Sequence, residues 1–192
     1  MNASGQQRYG SLIGLKAEFE ERYIILHQHT FPGVLKRIRD SHVRNYSIFL
    51  AEGILFSFFE YQGDDYQADM QAMAADPTTR DWWKLTDPMQ IPLETRTQGE
   101  RWQTLPELLH VDNDVGLPVD SRMRCAYAAA GDLRNAPKPL PEAISGAARL
   151  SLFSSADFGY LYLEYAPPHD FPPNLSFWNL DWGAMREVFH TD

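Results

Sequence analysis

Cysteine and long hydrophobic runs are scarce in this chain of 192 residues. Cys125 is its single cysteine, which excludes an internal disulfide and a zinc site built from several thiolates. The expected location is therefore a reducing cytoplasm. The most apolar stretch, residues 46–61, is interrupted by the turn Ala51-Glu52-Gly53, whereas a membrane span takes about 18 to 20 uninterrupted apolar residues. We expect no membrane partner.

Positive charge is also scarce. The sequence has 17 lysines and arginines against 26 aspartates and glutamates, and its formal net charge at pH 7 is −9. Proteins that bind nucleic acids usually present a basic stripe to the phosphates, and the sequence has no such cluster, so we expect no nucleic-acid partner. It also has no Gly-x-Ser-x-Gly motif, phosphate-binding glycine loop or dinucleotide fingerprint. These absences argue against covalent catalysis and a nucleotide cofactor.

Hydrophobic spacing in residues 1–112 predicts an α+β unit. Apolar residues alternate where strands are expected and recur every three to four positions where helices are expected. The predicted strands are residues 9–15, the two arms of a hairpin at 45–61, and 105–112, and the predicted helical regions are residues 16–38, with a restart at Pro32, and 64–76, with a further segment from Pro77. The resulting order, β-α-β-β-α-β, is the ferredoxin-like arrangement.

Two blocks of this unit recur later in the chain. SIFLAEGILFSFFEY at 47–61 matches SLFSSADFGYLYLEY at 151–165, and ELLHVD at 107–112 matches EVFHTD at 187–192. Because the matches keep their order, we interpret residues 1–112 as a complete unit and residues 113–192 as a shortened, degenerate copy. Helices cover one face of a four-stranded sheet of this kind, and its other apolar face must be buried against a further layer. We expect the copy to stack on it as an intramolecular pseudo-dimer, and further homo-oligomer assembly is left open.

Two short spacings point to a functional site. Tyr23 and His27 are four residues apart, so both lie on one face of the predicted helix. His27 is near the predicted helix end, where the macrodipole favours a protonated imidazole, and this suits a proton donor. The alternative is that the two side chains only pack together. Trp82 and Trp83 are adjacent and point in different directions, so at least one should face a ligand or a protein surface.

The histidines do not predict a metal site. His27 and His29 would share one face on a strand, but on a helix their side chains diverge by about 200°. No carboxylate lies at a familiar zinc spacing from them, so we expect no metal. Among the other histidines, His110 is retained as a candidate because it lies on the predicted strand 105–112.

Three motifs occur in order within residues 8–112. They are Tyr23-x-x-x-His27 followed by Phe31-Pro32, RNYSIF at 44–49, and WWKLTDPM at 82–89. Together they resemble the L-rhamnose mutarotase family. The resemblance implies a ferredoxin-like protein of the dimeric α+β barrel type, usually a homodimer with stacked sheets. It also implies an isomerase that interconverts the α and β anomers of a monosaccharide, L-rhamnose or a related pyranose, without a cofactor.

The same resemblance implies roles for individual residues. His27 matches the proton-donating histidine of the family. Two tyrosines and two tryptophans match its sugar-contacting and pocket-lining residues: Tyr23, Tyr46, Trp82 and Trp83. The general base stays open among a water molecule, Tyr23 and Asp87.

The sequence departs from the family pattern in three places. Phe31-Pro32 stands where the family usually has Trp-Pro, and the segment after the two tryptophans is one residue shorter than expected, so the pocket wall is expected to differ. The third departure is the copy at residues 113–192, which is extra because family members tend to end near residues 107–112. This copy has no equivalents of Tyr23, His27 or the tryptophan pair. We therefore expect no second equivalent active site.

Two other functions fit the same scaffold, because one fold hosts many activities. The first is a non-catalytic sugar-binding or sensing module, which binds sugar without changing the rate of anomer exchange. The second is a ferredoxin-like monooxygenase, cofactor-free or haem-dependent. Oxygen consumption with a quinol, or a haem absorbance band, would identify the monooxygenase.

Overall fold

The computed structural model describes residues 7–113, 125–137, 147–165, 174–177 and 180–192. The chain divides into two compact units. The first comprises Met1–Thr104 and Val188–Asp192, and the second comprises Leu105–Glu187. Each unit has its own hydrophobic core.

The first unit alternates strands and helices. Its elements are β1 (Gln7–Leu15), a short 3-10 helix (Ala17–Phe19), α1 (Glu20–Gln28), α2 (Pro32–Asp40), β2 (Val43–Ala51), β3 (Ile54–Tyr61), α3 (Tyr66–Ala75), α4 (Pro77–Thr86), a second 3-10 helix (Asp87–Met89), β4 (Gln90–Ile91) and β5 (Gln103–Leu105). None of the helices in the described part of the chain is both long enough and apolar enough to span a membrane.

The described part of the second unit consists of strands. They are β6 (Glu107–Asp112), β7 (Cys125–Asp132), β8 (Ala147–Ser155), β9 (Phe158–Tyr165), β10 (Asn174–Phe177) and β11 (Leu180–Thr191). Leu105, the last residue of β5, belongs to the second unit, and the residues of β11 from Val188 onward belong to the first. In the second unit the strand order is β11-β7-β9-β8-β6, with β10 beside β11, and the pairs are antiparallel.

The strand order of the first unit is β4-β1-β3-β2, followed by the end of β11. The pairs β1/β3, β1/β4 and β2/β3 are antiparallel. Helical segments connect β1 to β2 and β3 to β4, which gives the β-α-β-β-α-β order of a ferredoxin-like unit. The predicted α+β, ferredoxin-like fold is confirmed.

One strand pairs differently from the prediction. Residues 107–112 form β6, but β6 pairs with β8 in the second unit, where Leu109 and Val111 pack against that unit's core. The fourth strand of the first unit is instead the two-residue β4, which pairs with the end of β1. Alternating polarity identifies a strand but not its partner, and two residues are too few to show a pattern.

Local signals explain where the helices begin. Pro32 lies in the first turn of α2, where its fixed φ is favourable. The side chains of Asp65 and Asp76 cap α3 and α4 by accepting hydrogen bonds from the backbone N–H groups of Ala68 at 3.0 Å and Thr79 at 2.7 Å.

The hairpins of the two units have the same register. Ser47 lies opposite Phe58 in the first hairpin, and Ser151 lies opposite Tyr162 in the second. Each residue of the second pair is 104 positions beyond its equivalent in the first. The sequence match between the hairpins therefore extends to their strand pairing. Duplication of the whole unit, and its stacking as a pseudo-dimer, stay predictions.

Candidate active site

A cavity of about 440 Å³ lies in the first unit. Its wall is largely aromatic and aliphatic, as is common in binding sites for small molecules. Six of the predicted site residues line it: Tyr23, His27, Tyr46, Trp82, Trp83 and Asp87. The fold therefore brings together side chains from α1, β2, α4 and the following 3-10 helix.

His110 is the predicted candidate that does not line this cavity. It belongs to the second unit, where its Nδ1 lies 2.8 Å from the Oγ of Ser151 and its Nε2 lies 3.0 Å from Oδ2 of Asp112. The contact with Ser151 connects β6 to β8, so His110 contributes to the pairing of these strands. Among the described residues, no cluster of three or more His, Cys, Asp or Glu side chains is arranged to hold a metal ion.

His27 lies in the last turn of α1 and is only 8% exposed. Its Nδ1 is 2.8 Å from the backbone carbonyl oxygen of Tyr23. Because a carbonyl oxygen only accepts hydrogen bonds, Nδ1 carries the proton and donates it. Burial lowers the pKa of His27 to about 4, although the bond to the carbonyl of Tyr23 opposes this. The imidazole is therefore neutral near pH 7, and Nε2 carries a free electron pair.

This protonation state differs from the sequence prediction. The helix end was expected to favour the imidazolium form of His27. In the fold, the imidazole packs among the rings of Tyr23, Trp82 and Phe189, with centroid distances of 4.0, 5.1 and 5.7 Å. Removal of water penalises a charged ring more than the helix end stabilises it. The predicted resting-state charge of His27 is wrong.

Tyr23 is fully buried in the protein and forms part of the cavity wall. Its hydroxyl oxygen accepts a long hydrogen bond of 3.4 Å from Nε2 of Gln90. Burial, with a smaller effect of the neighbouring Tyr46, raises the pKa of Tyr23 well above its ordinary value, although the bond from Gln90 lowers it. The phenol therefore stays protonated over the physiological range, and its O–H can donate a hydrogen bond to a ligand.

Tyr46 is directed by an irregularity in β2. The pairing of β2 with β3 shifts register between Arg44 and Ser47, and Asn45 has a φ of 48°, a value that asparagine tolerates better than most residues. Such bulges re-aim a side chain. The ring of Tyr46 meets those of Phe59 and Phe189 edge-on, with centroids 5.7 and 5.3 Å away, and burial raises its pKa.

The two tryptophans have different surroundings, as their adjacency on α4 predicts. Trp82 is 6% exposed, and its ring packs edge-on against His27 and Phe31, with centroids 5.1 and 5.2 Å away. Trp83 is 37% exposed and also lines the cavity. Trp82 is thus a structural wall behind His27, and Trp83 offers an accessible aromatic face.

One part of the cavity wall is polar. The Nε of Arg101 lies 3.1 Å from Oδ1 of Asp87 and 3.3 Å from Oε1 of Gln90, and the guanidinium also donates to the backbone carbonyl of Asp87. Partial burial raises the pKa of Asp87, although Arg101 lowers it. Asp87, Gln90 and Arg101 present both donors and acceptors, the combination that binds sugar hydroxyl groups.

Sequence reasoning missed three of these residues: Gln90, Arg101 and Phe189. The segment between α4 and β5 has no hydrophobic period, so nothing in it indicated that Arg101 returns to the cavity. Phe189 lies in EVFHTD, whose match to ELLHVD predicted a strand. The match gave no indication of which strand it joins.

Comparisons with known proteins identify a family and a fold. Residues 8–111 match the family model described as L-rhamnose mutarotase. No curated protein matches the chain. A solved structure of a proposed monooxygenase from Fusobacterium nucleatum subsp. nucleatum is similar, with a TM-score of 0.51 and 8% sequence identity over 100% of this chain and 96% of that one. At this identity the likeness concerns the fold alone.

Proposed function

The chain belongs to the L-rhamnose mutarotase family, and from this premise we propose that it interconverts the α and β anomers of L-rhamnose or a related pyranose. One observation carries the proposal. A neutral imidazole, that of His27, lies in the same cavity as two phenols that stay protonated, those of Tyr23 and Tyr46. Anomer exchange needs a group that accepts and returns a proton, and hydrogen-bond donors that hold the sugar oxygens meanwhile; the imidazole supplies the first and the phenols supply the second.

In the proposed reaction, His27 transfers the proton in both directions. Nε2 of the neutral imidazole accepts the proton of the anomeric hydroxyl. The anomeric oxygen then forms a carbonyl as the bond from the anomeric carbon to the ring oxygen breaks, and the ring oxygen takes the proton from the imidazolium. Both oxygens are bonded to the same carbon, so one nitrogen can serve both. The aldehyde rotates, and the reverse steps close the ring on its other face.

The other residues hold the sugar while this happens. The hydroxyl groups of Tyr23 and Tyr46 donate to sugar oxygens, since both phenols stay protonated. Asp87 was left open as a general base. Asp87 is partly exposed and contacts Arg101. These features favour a binding role, in which Asp87 and Arg101 both bind hydroxyl groups of the sugar, over that of a base. Because anomer exchange also proceeds unaided, the roughly 10² to 10⁴-fold gain typical of a positioned acid-base group suffices.

The lining of the cavity favours a deoxy sugar. Trp83 presents an accessible ring on which the apolar face of a pyranose can stack. Ile38, Met70 and Met73 also line the cavity, and such side chains accommodate a methyl group better than a hydroxymethyl group, which needs a hydrogen-bond partner. We therefore propose a 6-deoxy pyranose, of which L-rhamnose is the leading candidate.

Exchange NMR of anomeric protons tests this proposal. L-rhamnose, L-fucose, L-lyxose and D-glucose are each mixed with the wild-type protein, with His27→Ala, or with His29→Ala. His29 ends the same helix but is exposed, so it is a matched control. We expect exchange to be accelerated for one sugar, to fall about 10² to 10⁴-fold in His27→Ala, and to be unchanged in His29→Ala.

Two results would overturn the proposal. Sugar binding without acceleration would indicate a sugar-binding module. Neither binding nor acceleration with any of the four sugars would show that the family chemistry has been lost.

A further inference from the structure

The cavity has a wall that lies outside the family-matched residues 8–111. Phe189 lines it and is 8% exposed. Its ring meets the imidazole of His27 at an interplanar angle of 79° and the ring of Tyr46 at 74°. Phe189 belongs to Val188–Asp192, the part of β11 that lies in the first unit. Phe189, near the C-terminal end of the described chain, thus contacts His27 in the site.

A hydrogen bond holds this strand end in place. Nδ1 of His190 lies 3.0 Å from the Oγ of Ser47 on β2, and Ser47 is fully buried. Nε2 of His190 lies 3.3 Å from Oδ1 of Asp192. The contact fixes the position of the residue next to Phe189 relative to β2, which also carries Tyr46.

The second unit has the same contact without the aromatic residue. There His110 contacts Ser151 and Asp112, which correspond in the matched blocks to His190, Ser47 and Asp192. The residue that corresponds to Phe189 is Leu109, which packs against the core of the second unit. The serine–histidine contact therefore occurs at the ends of both β6 and β11. The phenylalanine occurs only at the end of β11, which lines the cavity.

We propose that Phe189 is a positioning residue of the active site, which covers the imidazole of His27 and keeps water from it. The role of the imidazole as proton carrier rests on the proposed function, but the covering of His27 does not. Loss of the Phe189 ring would admit water beside His27. The titratable groups that share the cavity wall with His27 are four tyrosines and one ion pair: Tyr9, Tyr23, Tyr46, Tyr66, and Asp87 with Arg101.

The test uses the full chain with three variants. Phe189→Ala removes the ring, Phe189→Leu keeps apolar bulk, and Leu109→Ala is the matched control at the corresponding place in the second unit. NMR titration of the His27 imidazole is the first readout. Because burial is the main cause of the low pKa of His27, we expect Phe189→Ala to raise it from about 4 toward its ordinary value of about 6.5. Leu109→Ala should leave the titration unchanged.

Exchange kinetics with L-rhamnose give the second readout. Because loss of the Phe189 ring leaves the imidazole of His27 free to reorient, we expect Phe189→Ala to lower kcat about tenfold with a smaller change in KM, and Phe189→Leu to recover most of kcat. A folded Phe189→Ala protein with wild-type His27 titration would overturn the inference. If Phe189→Ala does not fold, Phe189→Val takes its place, because valine keeps the strand but is too small to cover the imidazole; a wild-type His27 titration in that variant would equally overturn the inference. Absence of exchange in the wild-type protein would overturn the proposed function, yet the titration would still test the covering of His27.

Discussion

Nδ1 of His27 lies 2.8 Å from the carbonyl oxygen of Tyr23, one helical turn earlier on α1. This contact assigns the tautomer, because the carbonyl cannot donate a proton. Proton exchange with a ligand is then left to Nε2. The spacing of four residues that first indicated a joint role thus has a specific consequence: Tyr23 orients His27 through its backbone, while its side chain contributes a hydroxyl group.

The rate of anomer exchange should depend on pH through His27. Its pKa is about 4, and the proposed mechanism needs the neutral imidazole as acceptor. We expect kcat/KM for L-rhamnose to be constant from about pH 8 to pH 5.5 and to fall as the pH decreases through about 4. The measurement is exchange NMR over this range, corrected for the unaided rate. Asp87→Asn should keep the same profile; loss of the acid limb in that variant would make Asp87 the base.

Folding stability should depend on pH through the same residue. Between about pH 4 and 6.5 the unfolded chain binds a proton at His27 that the folded chain does not, since the folded pKa is the lower one. The contribution of neutral His27 is therefore complete above about pH 6.5 and is lost as the pH falls toward 4, by about 2 to 4 kcal/mol.

Urea unfolding of the wild-type protein and His27→Gln at several pH values measures this effect. The difference between the two free energies of unfolding isolates His27 from the carboxyl groups that titrate in the same range. A difference that stays constant between pH 7 and pH 4.5 would contradict the assigned pKa.

Asp87 and Arg101 should affect sugar binding more than turnover. Removal of the charge in Asp87→Asn weakens hydrogen bonds to sugar hydroxyls, so we expect KM to rise about tenfold with kcat within about threefold of wild type. Asp81→Asn is the control, because Asp81 forms an exposed pair with Lys84 on α4 at 2.7 Å. A loss of kcat at unchanged KM in Asp87→Asn would argue for proton transfer by Asp87.

Substitution of the two adjacent tryptophans should have different effects, one mainly on folding stability and the other mainly on sugar binding. Trp82 is buried against His27 and Phe31, so Trp82→Ala should lower the free energy of unfolding by about 3 to 5 kcal/mol. Trp83→Ala should change it by less than about 1 kcal/mol but weaken sugar binding roughly threefold to tenfold, through loss of one stacking contact. Urea unfolding and sugar titration of both variants decide between these outcomes. Equal destabilisation by both changes would contradict the division of roles.

Features that depend on neighbouring residues were predictable from the sequence. The helix restart at Pro32, the hairpin turn at residues 51–53 and the shared face of Tyr23 and His27 all follow from local rules of backbone geometry and spacing. They were enough to give the ferredoxin-like order, whereas the assignment of Tyr46, Trp82 and Trp83 to one site came from the family resemblance.

Features that depend on distant residues were not predictable. Residues 107–112 alternate in polarity as any half-buried strand does, and the pattern is silent about whether β1 or β8 is the partner. The charge of His27 depends on how completely three other rings exclude water, one of them 162 positions away at Phe189. Burial is a property of the assembled unit, whereas the helix-end argument used only the local backbone.

The charge balance of the cavity has a consequence for the order of steps in sugar metabolism. Among the described residues of its wall, the basic side chains are His27 and Arg101; the first is neutral near pH 7, and the second is paired with Asp87. A phosphorylated or oxidised sugar would bring a negative charge out of water with no free cation to receive it. We therefore propose that the substrate is the free, uncharged sugar, before a kinase adds phosphate or an oxidation step creates a carboxylate.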